Sequence, residues 1–277
     1  MSLLQRLSAA QSPLVMGILN TTPDSFSDGG RHNSFDAALR HAERMLAEGA
    51  HIIDVGGEST RPGAPDVSVA EELDRVVPVV EALRSRFDTL ISVDTSAPEV
   101  MVATASLGID LINDVRSLTR PGALAAAVAS GLPVCIMHMQ GEPRSMQQNP
   151  EYQDVVAEVA QWLKIRADEC MAAGIKREHL LIDPGFGFGK TAAHNYRLLN
   201  ELASLQKLEM PLLTGLSRKR MIGDATGIGV AADRVNGSVA GAVICAMKGA
   251  AIVRVHDVRE TAEAMKVVAA TLGEQHV

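Results

Sequence analysis

Short apolar runs alternate with longer amphipathic segments along nearly the whole chain, and this alternation limits its possible folds more than any other feature. The runs are rich in Val, Ile and Leu and are bounded by turn residues, which is typical of buried parallel strands. The predicted strands are Leu14–Leu19, Ile52–Val55, Leu90–Val93, Leu111–Asn113, Pro133–Met137, Leu180–Ile182, Pro211–Thr214 and Ile252–Val255.

The segments between these runs have the apolar periodicity of amphipathic helices. The predicted helices are Phe35–Glu48, Val69–Arg86, Pro98–Leu107, Gly122–Ala129, Tyr152–Ala173, His194–Leu205, Val235–Met247 and Arg259–Leu272. A glycine follows several of them where a left-handed helix cap is wanted, namely at Gly49, Gly108, Gly131, Gly174 and Gly249.

Eight strands and eight helices in strict alternation favour an α/β fold, a single (β/α)8 TIM-barrel domain spanning residues 1–277. The competing architecture is a doubly wound open sheet. That fold usually has fewer strands, and it needs a switch point that the order of elements does not reveal.

Polar residues stand at the carboxyl end of every predicted strand. They are Asn20, Asp54, Glu58–Arg61, Asp94, Asn113–Asp114, His138, Asp183, Ser217–Lys219, Arg254 and His256. In a barrel these ends meet on one rim, where barrel enzymes place their catalytic residues. A single aspartate there is more often a helix cap, but eight polar strand ends together favour a catalytic rim.

Composition excludes several classes of function. The net charge of -7 and the pI near 5.6 argue against nucleic acid as a partner. Three scattered cysteines have no metal-ligand spacing and indicate a reducing compartment. The first residues do not read as a signal peptide, and the uncharged run Val239–Met247 is far shorter than the ~20 residues that span a bilayer. We therefore expect a cytoplasmic protein with no membrane partner.

The segment Asp183–Thr191 superficially resembles a phosphate-binding loop. The Walker pattern would need glycine at position 184, which is proline, and the spacing also departs from Gly-x-Gly-x-x-Gly. A close-packed loop that lets a flat ligand and Phe188 approach the backbone explains the glycines better. His138 stands at a neighbouring strand end without an assigned role.

Several motifs, in order, resemble those of the dihydropteroate synthase family, the folate-pathway enzymes that sulfonamides inhibit. They are Met16–Gly30, Gly56–Gly63, Ser92–Thr95, Asp183–Lys190, Ser217–Lys219 and Arg254–Val258. The likeness runs from about Leu14 to the last helix. It implies that 4-aminobenzoate displaces pyrophosphate from 6-hydroxymethyl-7,8-dihydropterin diphosphate and forms 7,8-dihydropteroate. Arg220 departs from the pattern, because some members carry Ser there.

The resemblance also implies roles for individual residues. Asp183 and Asn113 would recognise the amide edge of the pterin, and Lys219 the opposite edge. Asp94 is suited to stabilising positive charge if the methylene–oxygen bond breaks early. Arg254 and His256 would hold the diphosphate, since residues two apart on a strand face the same way. The catalytic residues are thus expected to be Asp94, Lys219, Arg254 and His256.

Further residues are implied to surround the substrates. Asn20 resembles the Mg²⁺ ligand of the family, with the diphosphate and water completing the octahedron. The other substrate contacts implied by the family are Thr60, Arg61, Pro62, Phe188 and Gly215. Phe26, in the long segment after the first strand, would act as a lid over the aminobenzoate.

Two alternatives with different chemistry remain open at the level of sequence. One is a pterin-binding methyltransferase domain that passes a methyl group to a corrinoid partner, and the other is a non-catalytic homologue. Arg61 and the Arg254/His256 pair count against the first, because a methyl donor has no diphosphate. The complete polar rim counts against the second. The resemblance also implies a homodimer, for which Val239, Val243 and Met247 offer a candidate face.

Overall fold

The computed structural model describes residues 1–21, 31–58, 67–142 and 146–273 of the chain. Its centre is an eight-stranded parallel sheet in the order β6-β5-β4-β3-β2-β1-β8-β7. The strands are β1 Leu14–Asn20, β2 Ile52–Gly56, β3 Leu90–Asp94, β4 Leu111–Asp114, β5 Val134–Met137, β6 Leu180–Asp183, β7 Leu213–Thr214 and β8 Ile252–Val255. A parallel bridge between Ile182 and Leu212 joins the two outer strands, so the sheet curls into a nearly closed barrel. The predicted fold class is confirmed.

Helices cover the outside of this barrel. Those of the described chain are α1 Leu3–Ala9, α2 Arg31–Ala47, α3 Val69–Arg86, α4 Pro98–Ser106, α5 Ala123–Ser130, α6 Val155–Ala172, α7 Ala192–Asn200, α8 Arg220–Thr226, α9 Val235–Met247 and α10 Val258–Gly273. The five glycines expected to cap helices all have positive φ, between 64° and 115°. Short 3-10 helices cover Arg177–His179, Leu202–Leu208 and Ala231–Asp233.

Several boundaries differ from the sequence prediction, as at α2, which begins at Arg31 instead of Phe35. The predicted helix His194–Leu205 is broken, because α7 ends at Asn200 and a 3-10 helix follows. The predicted helix Tyr152–Ala173 begins only at Val155, since the Asp154 carboxylate accepts hydrogen bonds from two backbone N–H groups and caps α6 there. The helices α1 and α8 were not predicted.

The strands bury both faces, and the two faces have different neighbours. Outward side chains such as Val15, Ile53 and Val253 pack against the helices in one large cluster. Inward side chains at the amino ends form a second, smaller cluster, to which α1 contributes Leu3 and the half-buried Leu7. Helix α1 therefore closes the amino-terminal end of the barrel. The inward side chains of the second cluster are Leu14, Met16, Ile52, Leu90, Leu111, Cys135, Leu181, Leu213 and Ile252.

Candidate active site

Along five of the strands, the inward-facing side chains change from apolar to polar over two residues. Two residues beyond Ile52, Leu90, Leu111, Leu181 and Ile252 on the same strand faces stand Asp54, Ser92, Asn113, Asp183 and Arg254. All except Arg254 are buried. The barrel thus has an apolar floor and, directly above it, a ring of hydrogen-bonding groups.

Arg254 lies at the centre of this ring between two carboxylates. Its Nε is 2.6 Å from Oδ2 of Asp54 and its Nη2 is 2.8 Å from Oδ2 of Asp94. Burial lowers the pKa of the Arg254 guanidinium, but Asp54 and Asp94 outweigh this and raise it above its ordinary value. Burial raises the pKa of Asp94, and the positive charge of Arg254 opposes that rise. The arrangement keeps a permanent positive charge inside the barrel mouth.

Asp54 is the shared partner that organises this group. It is fully buried, and it accepts a hydrogen bond of 2.6 Å from the Ser92 hydroxyl in addition to its bond with Arg254. The side-chain Nδ2 of Asn113 also points to Asp54, at 3.4 Å. That contact turns the carbonyl oxygen of the Asn113 amide away from Asp54. Asp54 stood among the polar strand ends of the sequence, but no role was assigned to it.

Asp183 and Lys219 face each other across the β6–β7 side of the barrel. Asp183 is buried, and burial raises the pKa of its carboxyl group against the opposing effect of Lys219. Burial lowers the pKa of Lys219 to about 8, while Asp183 acts in the opposite direction. The Lys219 ammonium donates a hydrogen bond to the carbonyl oxygen of Phe186 and lies 4.5 Å from the ring centroid of Phe188.

His256 follows the last residue of β8 and is held by Ser217. The Ser217 hydroxyl is 3.1 Å from the His256 backbone nitrogen and 3.0 Å from Nδ1 of its ring. The hydroxyl oxygen accepts a hydrogen bond from the backbone N–H, and its contact with Nδ1 fixes the orientation of the ring. Gly215 lies beside the Arg254 side chain, since a Cβ on Gly215 would be 3.8 Å from Cβ of Arg254.

Asn20 ends β1 beside the same ring. The parallel register places Asn20, Gly56 and Asp94 next to one another across three strands. A Cβ on Gly56 would lie 3.8 Å from Oδ1 of Asn20 and 3.9 Å from Oδ2 of Asp94. The missing side chain of Gly56 therefore leaves both oxygens facing one small space.

Two other polar strand ends serve the loops around them. Asp114 accepts hydrogen bonds from the backbone nitrogens of Arg116 and Leu118, at 2.8 and 2.7 Å. The Glu58 carboxylate pairs with Arg116, at 3.0 Å. Thr60, Arg61, Pro62 and Phe26 lie outside the described residues, so their predicted roles at the aminobenzoate site and in the lid stay predictions.

Comparison with known proteins places this site in a class. The family described as pterin binding enzyme matches residues 16–256. The chain belongs to this family of pterin-binding enzymes.

Individual relatives show which enzyme of this family the chain resembles. The chain is 60% identical over 260 residues to the dihydropteroate synthase of Escherichia coli K12, covering 94% of this chain and 92% of the relative. A Yersinia pestis dihydropteroate synthase solved with a sulfonamide drug has a TM-score of 0.91 and 58% identity, covering 96% of each chain. A Xanthomonas albilineans dihydropteroate synthase solved with 4-aminobenzoic acid has a TM-score of 0.89 and 50% identity, covering 94% of this chain and 93% of that one. Within the pterin-binding enzymes, the chain is a dihydropteroate synthase and hence a transferase.

Proposed function

We propose that the polar ring above the barrel floor binds 6-hydroxymethyl-7,8-dihydropterin diphosphate and transfers its dihydropterin-methyl group to 4-aminobenzoate. A carbon–nitrogen bond forms to the amine, the methylene–oxygen bond breaks, pyrophosphate leaves, and the amine nitrogen loses a proton. The observation that carries this assignment is Arg254 held between Asp54 and Asp94, beside Asn113 and Asp183. Few other ligands need a buried cation and several amide-edge partners in one cavity.

The pterin ring is proposed to bind inside the ring of polar residues. Asp183 would accept hydrogen bonds from the N–H groups of the amide edge and its exocyclic amine, and Asn113 can both donate and accept. The Lys219 ammonium would donate to the opposite, acceptor edge of the ring. Because these groups are buried, water cannot supply their hydrogen-bond partners, and the ligand would supply them instead.

The transfer itself depends on charge placement. Asp94 would stabilise positive charge on the methylene group as its bond to oxygen lengthens. Arg254 would exchange part of its contact with Asp94 for the diphosphate while Asp54 continues to hold it. His256 would donate from Nε2 to the departing diphosphate, in the orientation that Ser217 imposes.

We also propose that Mg²⁺ assists this reaction and that Asn20 would hold it. The space bordered by Asn20 and Asp94 supports this, because hard oxygen donors suit Mg²⁺. When bound, the ion would neutralise negative charge on the leaving diphosphate. Within the described parts of the chain, no group of three or more His, Cys, Asp and Glu side chains could hold a metal ion, so the diphosphate itself would supply further oxygens.

The remaining proposals concern assembly and location. Ile244 and Met247 of α9 are 41% and 49% exposed, which supports a homodimer through this face, although Val243 packs against the core. Within the described chain, no helix is both long and apolar enough to cross a membrane. Cys135, Cys170 and Cys245 are unpaired and buried, which supports a cytoplasmic location.

The test is incubation of the protein with the pterin diphosphate, 4-aminobenzoate and Mg²⁺, followed by measurement of released pyrophosphate and dihydropteroate. We expect both products in equal amounts, no reaction without aminobenzoate, and competition by a sulfonamide against aminobenzoate. Product formed at the same rate after removal of divalent ions would reject the Mg²⁺ proposal alone. Absence of pyrophosphate would reject the transferase assignment. Sedimentation as a monomer at micromolar concentration would reject the homodimer.

A further inference from the structure

A buried lysine lies behind the β6 side of the site, where the reaction described above does not use it. Lys190 is 2% exposed. Its Nζ is 2.9 Å from Nδ1 of His138, 2.9 Å from the carbonyl oxygen of Gly185 and 3.1 Å from that of Phe188. An ammonium has three protons, and three close acceptors surround it, so every proton has a partner.

These contacts hold together the loop 184–189, which follows the last residue of β6. The loop lies directly against the chain that follows β5, because a Cβ on Gly185 would overlap the His138 carbonyl oxygen and one on Gly189 would overlap that of Gln140. Both glycines have positive φ, 67° and 61°. The Tyr152 hydroxyl adds a hydrogen bond of 2.8 Å to the Gly189 carbonyl oxygen. Burial lowers the pKa of Lys190, and the nearby Asp183 opposes this. Lys190 is thus the hydrogen-bonding centre of a clamp that holds the loop against the chain after β5.

The loop carries Phe188, one of the expected substrate contacts, and it meets Lys219. The Phe186 carbonyl oxygen accepts the hydrogen bond from Lys219, and the Phe188 ring lies under the same ammonium. Asp183, by contrast, is the last residue of β6 and pairs with Met137 in the strand ladder. Its position is therefore set by the barrel, whereas Phe188 depends on the loop.

We propose that Lys190 is a positioning residue for the aminobenzoate half of the reaction: by binding His138 and the loop carbonyl groups, it fixes Phe188 and the Phe186 carbonyl against Lys219. This inference rests on the proposed function for the identity of the substrate. It assigns Lys190 no contact with substrate.

Lys190 also acts on the charge state of His138, together with burial. Burial and the neighbouring Lys190 lower the pKa of His138 to about 3, so the ring is neutral and its proton is on Nε2. Lys190 faces this ring from the β6–α7 loop, and Tyr152 faces it from the segment before α6, with ring centroids 6.1 Å apart. Trp162, the one tryptophan of the chain, meets the ring edge-on at 5.3 Å. Because a protonated imidazole quenches tryptophan emission, Trp162 reports on the charge of His138.

The experiment replaces the ammonium while keeping the length of the side chain. Lys190→Met should raise KM for 4-aminobenzoate about tenfold or more. Without the ammonium, Phe188 would shift, and a shift of a fraction of an ångström in a group that orients a substrate has a large effect. The dissociation constant of the pterin diphosphate should rise by a clearly smaller factor, since the barrel holds Asp183 and the loop reaches the pterin site through its contact with Lys219. Lys207→Met, a change at an exposed lysine, is the matched control and should alter neither.

A milder variant and a spectroscopic readout guard against loss of folding. Tyr152→Phe removes one hydrogen bond from the same loop and should raise KM for aminobenzoate in the same direction by a smaller factor. In Lys190→Met, the acid quenching of Trp162 emission should move to higher pH than in the wild type.

Unchanged KM for aminobenzoate in both variants would overturn the proposal, as would equal weakening of both substrates. Failure of the proposed function is a separate result, because it would appear as no pyrophosphate from the wild type. In that case the Trp162 titration would still decide whether Lys190 holds His138 neutral.

Discussion

Arg254 shows how much of this site depends on single side chains. The Arg254 guanidinium brings a positive charge into the cavity, and two carboxylates, at 2.6 and 2.8 Å, share it. In the proposed function, a diphosphate would compete with Asp94 for this charge, whereas fully buried Asp54 would remain the partner of Arg254. Asp54 is therefore expected to matter for both stability and catalysis.

Asp54→Asn tests this expectation. The variant keeps the size of the side chain but removes the negative charge facing Arg254. We expect the free energy of unfolding to fall by about 1–3 kcal/mol, less than for a fully orphaned ion because Asp94 still compensates the guanidinium. We expect kcat to fall by more than tenfold, through misplacement of Arg254. Urea denaturation and steady-state kinetics measure the two effects.

Ser92→Ala is the matched control, because it removes a hydrogen bond to Asp54 without changing a charge. It should cost about 1 kcal/mol of stability. Equal kinetic losses in both variants would contradict a role for the Asp54 charge.

The leaving group gives a second prediction at this scale. Arg254→Ala should weaken binding of the pterin diphosphate by about 2–3 kcal/mol, since charge-assisted bonds to phosphate are lost, and leave a pterin lacking diphosphate less affected. Asp183→Asn should weaken both ligands alike, because the ring is common to them. Titration calorimetry with the two ligands makes the comparison. Equal losses in Arg254→Ala would show that the arginine acts only on the structure.

Lys219 gives a prediction about pH. Its lowered pKa, about 8, means that the ammonium is lost as the pH rises through this value. In the proposed function, this loss would weaken the hydrogen bond from Lys219 to the pterin, so kcat/KM should fall above about pH 8. Lys219→Arg keeps a charged group at all accessible pH values and should move or abolish this alkaline limb. The same limb in the variant would assign the titration to another group.

At the scale of elements, helix α1 has a role that its place before the barrel does not suggest. It begins with a capping box between Ser2 and Gln5, and its Leu3, 2% exposed, lies among the inward side chains at the amino end of the strands. Leu7 covers the same cluster. The helix acts as a floor, and it lies at the opposite end from the polar ring.

Truncation of this floor should therefore separate stability from catalysis. Leu3→Ala is expected to lower the free energy of unfolding by about 2–4 kcal/mol, the usual cost of a cavity left by a buried leucine. KM for both substrates should remain unchanged. Leu4→Ala, at the adjacent half-buried position, should cost clearly less. Thermal and urea unfolding with parallel kinetics give the measurement, and an altered KM in Leu3→Ala would show that the floor also shapes the site.

The elements also show where sequence patterns succeed and where they fail. Helices α3 and α9 and strand β8 have the predicted bounds, and the capping box of Ser68 and Glu71 marks the start of α3. The break after α7 was missed because Leu198, Leu202 and Leu205 continue the apolar period through it and are all buried. Strand β7 is shorter than predicted: Pro211 has no N–H to donate, and its carbonyl oxygen instead accepts from Ile182, at 3.0 Å.

At the scale of the whole molecule, one strand period produces both the core and the site. Inward residues at the start of the strands form the apolar cluster, and those two positions later form the polar ring. The barrel closes between β6 and β7 through the isolated bridge of Ile182 with Leu212. The clamp around Lys190 and the ammonium of Lys219 lie on this same side of the barrel.

The sequence alone determined the barrel, since alternating apolar runs and amphipathic helices have few other ways to bury their apolar surface, and it determined that polar residues end the strands. The tertiary structure decided which of these residues bind one another. Arg254 meets Asp54 across 200 positions of the chain, and Lys190 meets His138 across 52. The physical reason is register: a polar side chain has the same pattern in sequence whether it caps a helix, as Asp154 does, or points into the barrel, as Asp54 does. Only the pairing of parallel strands brings particular donors within hydrogen-bond distance of particular acceptors.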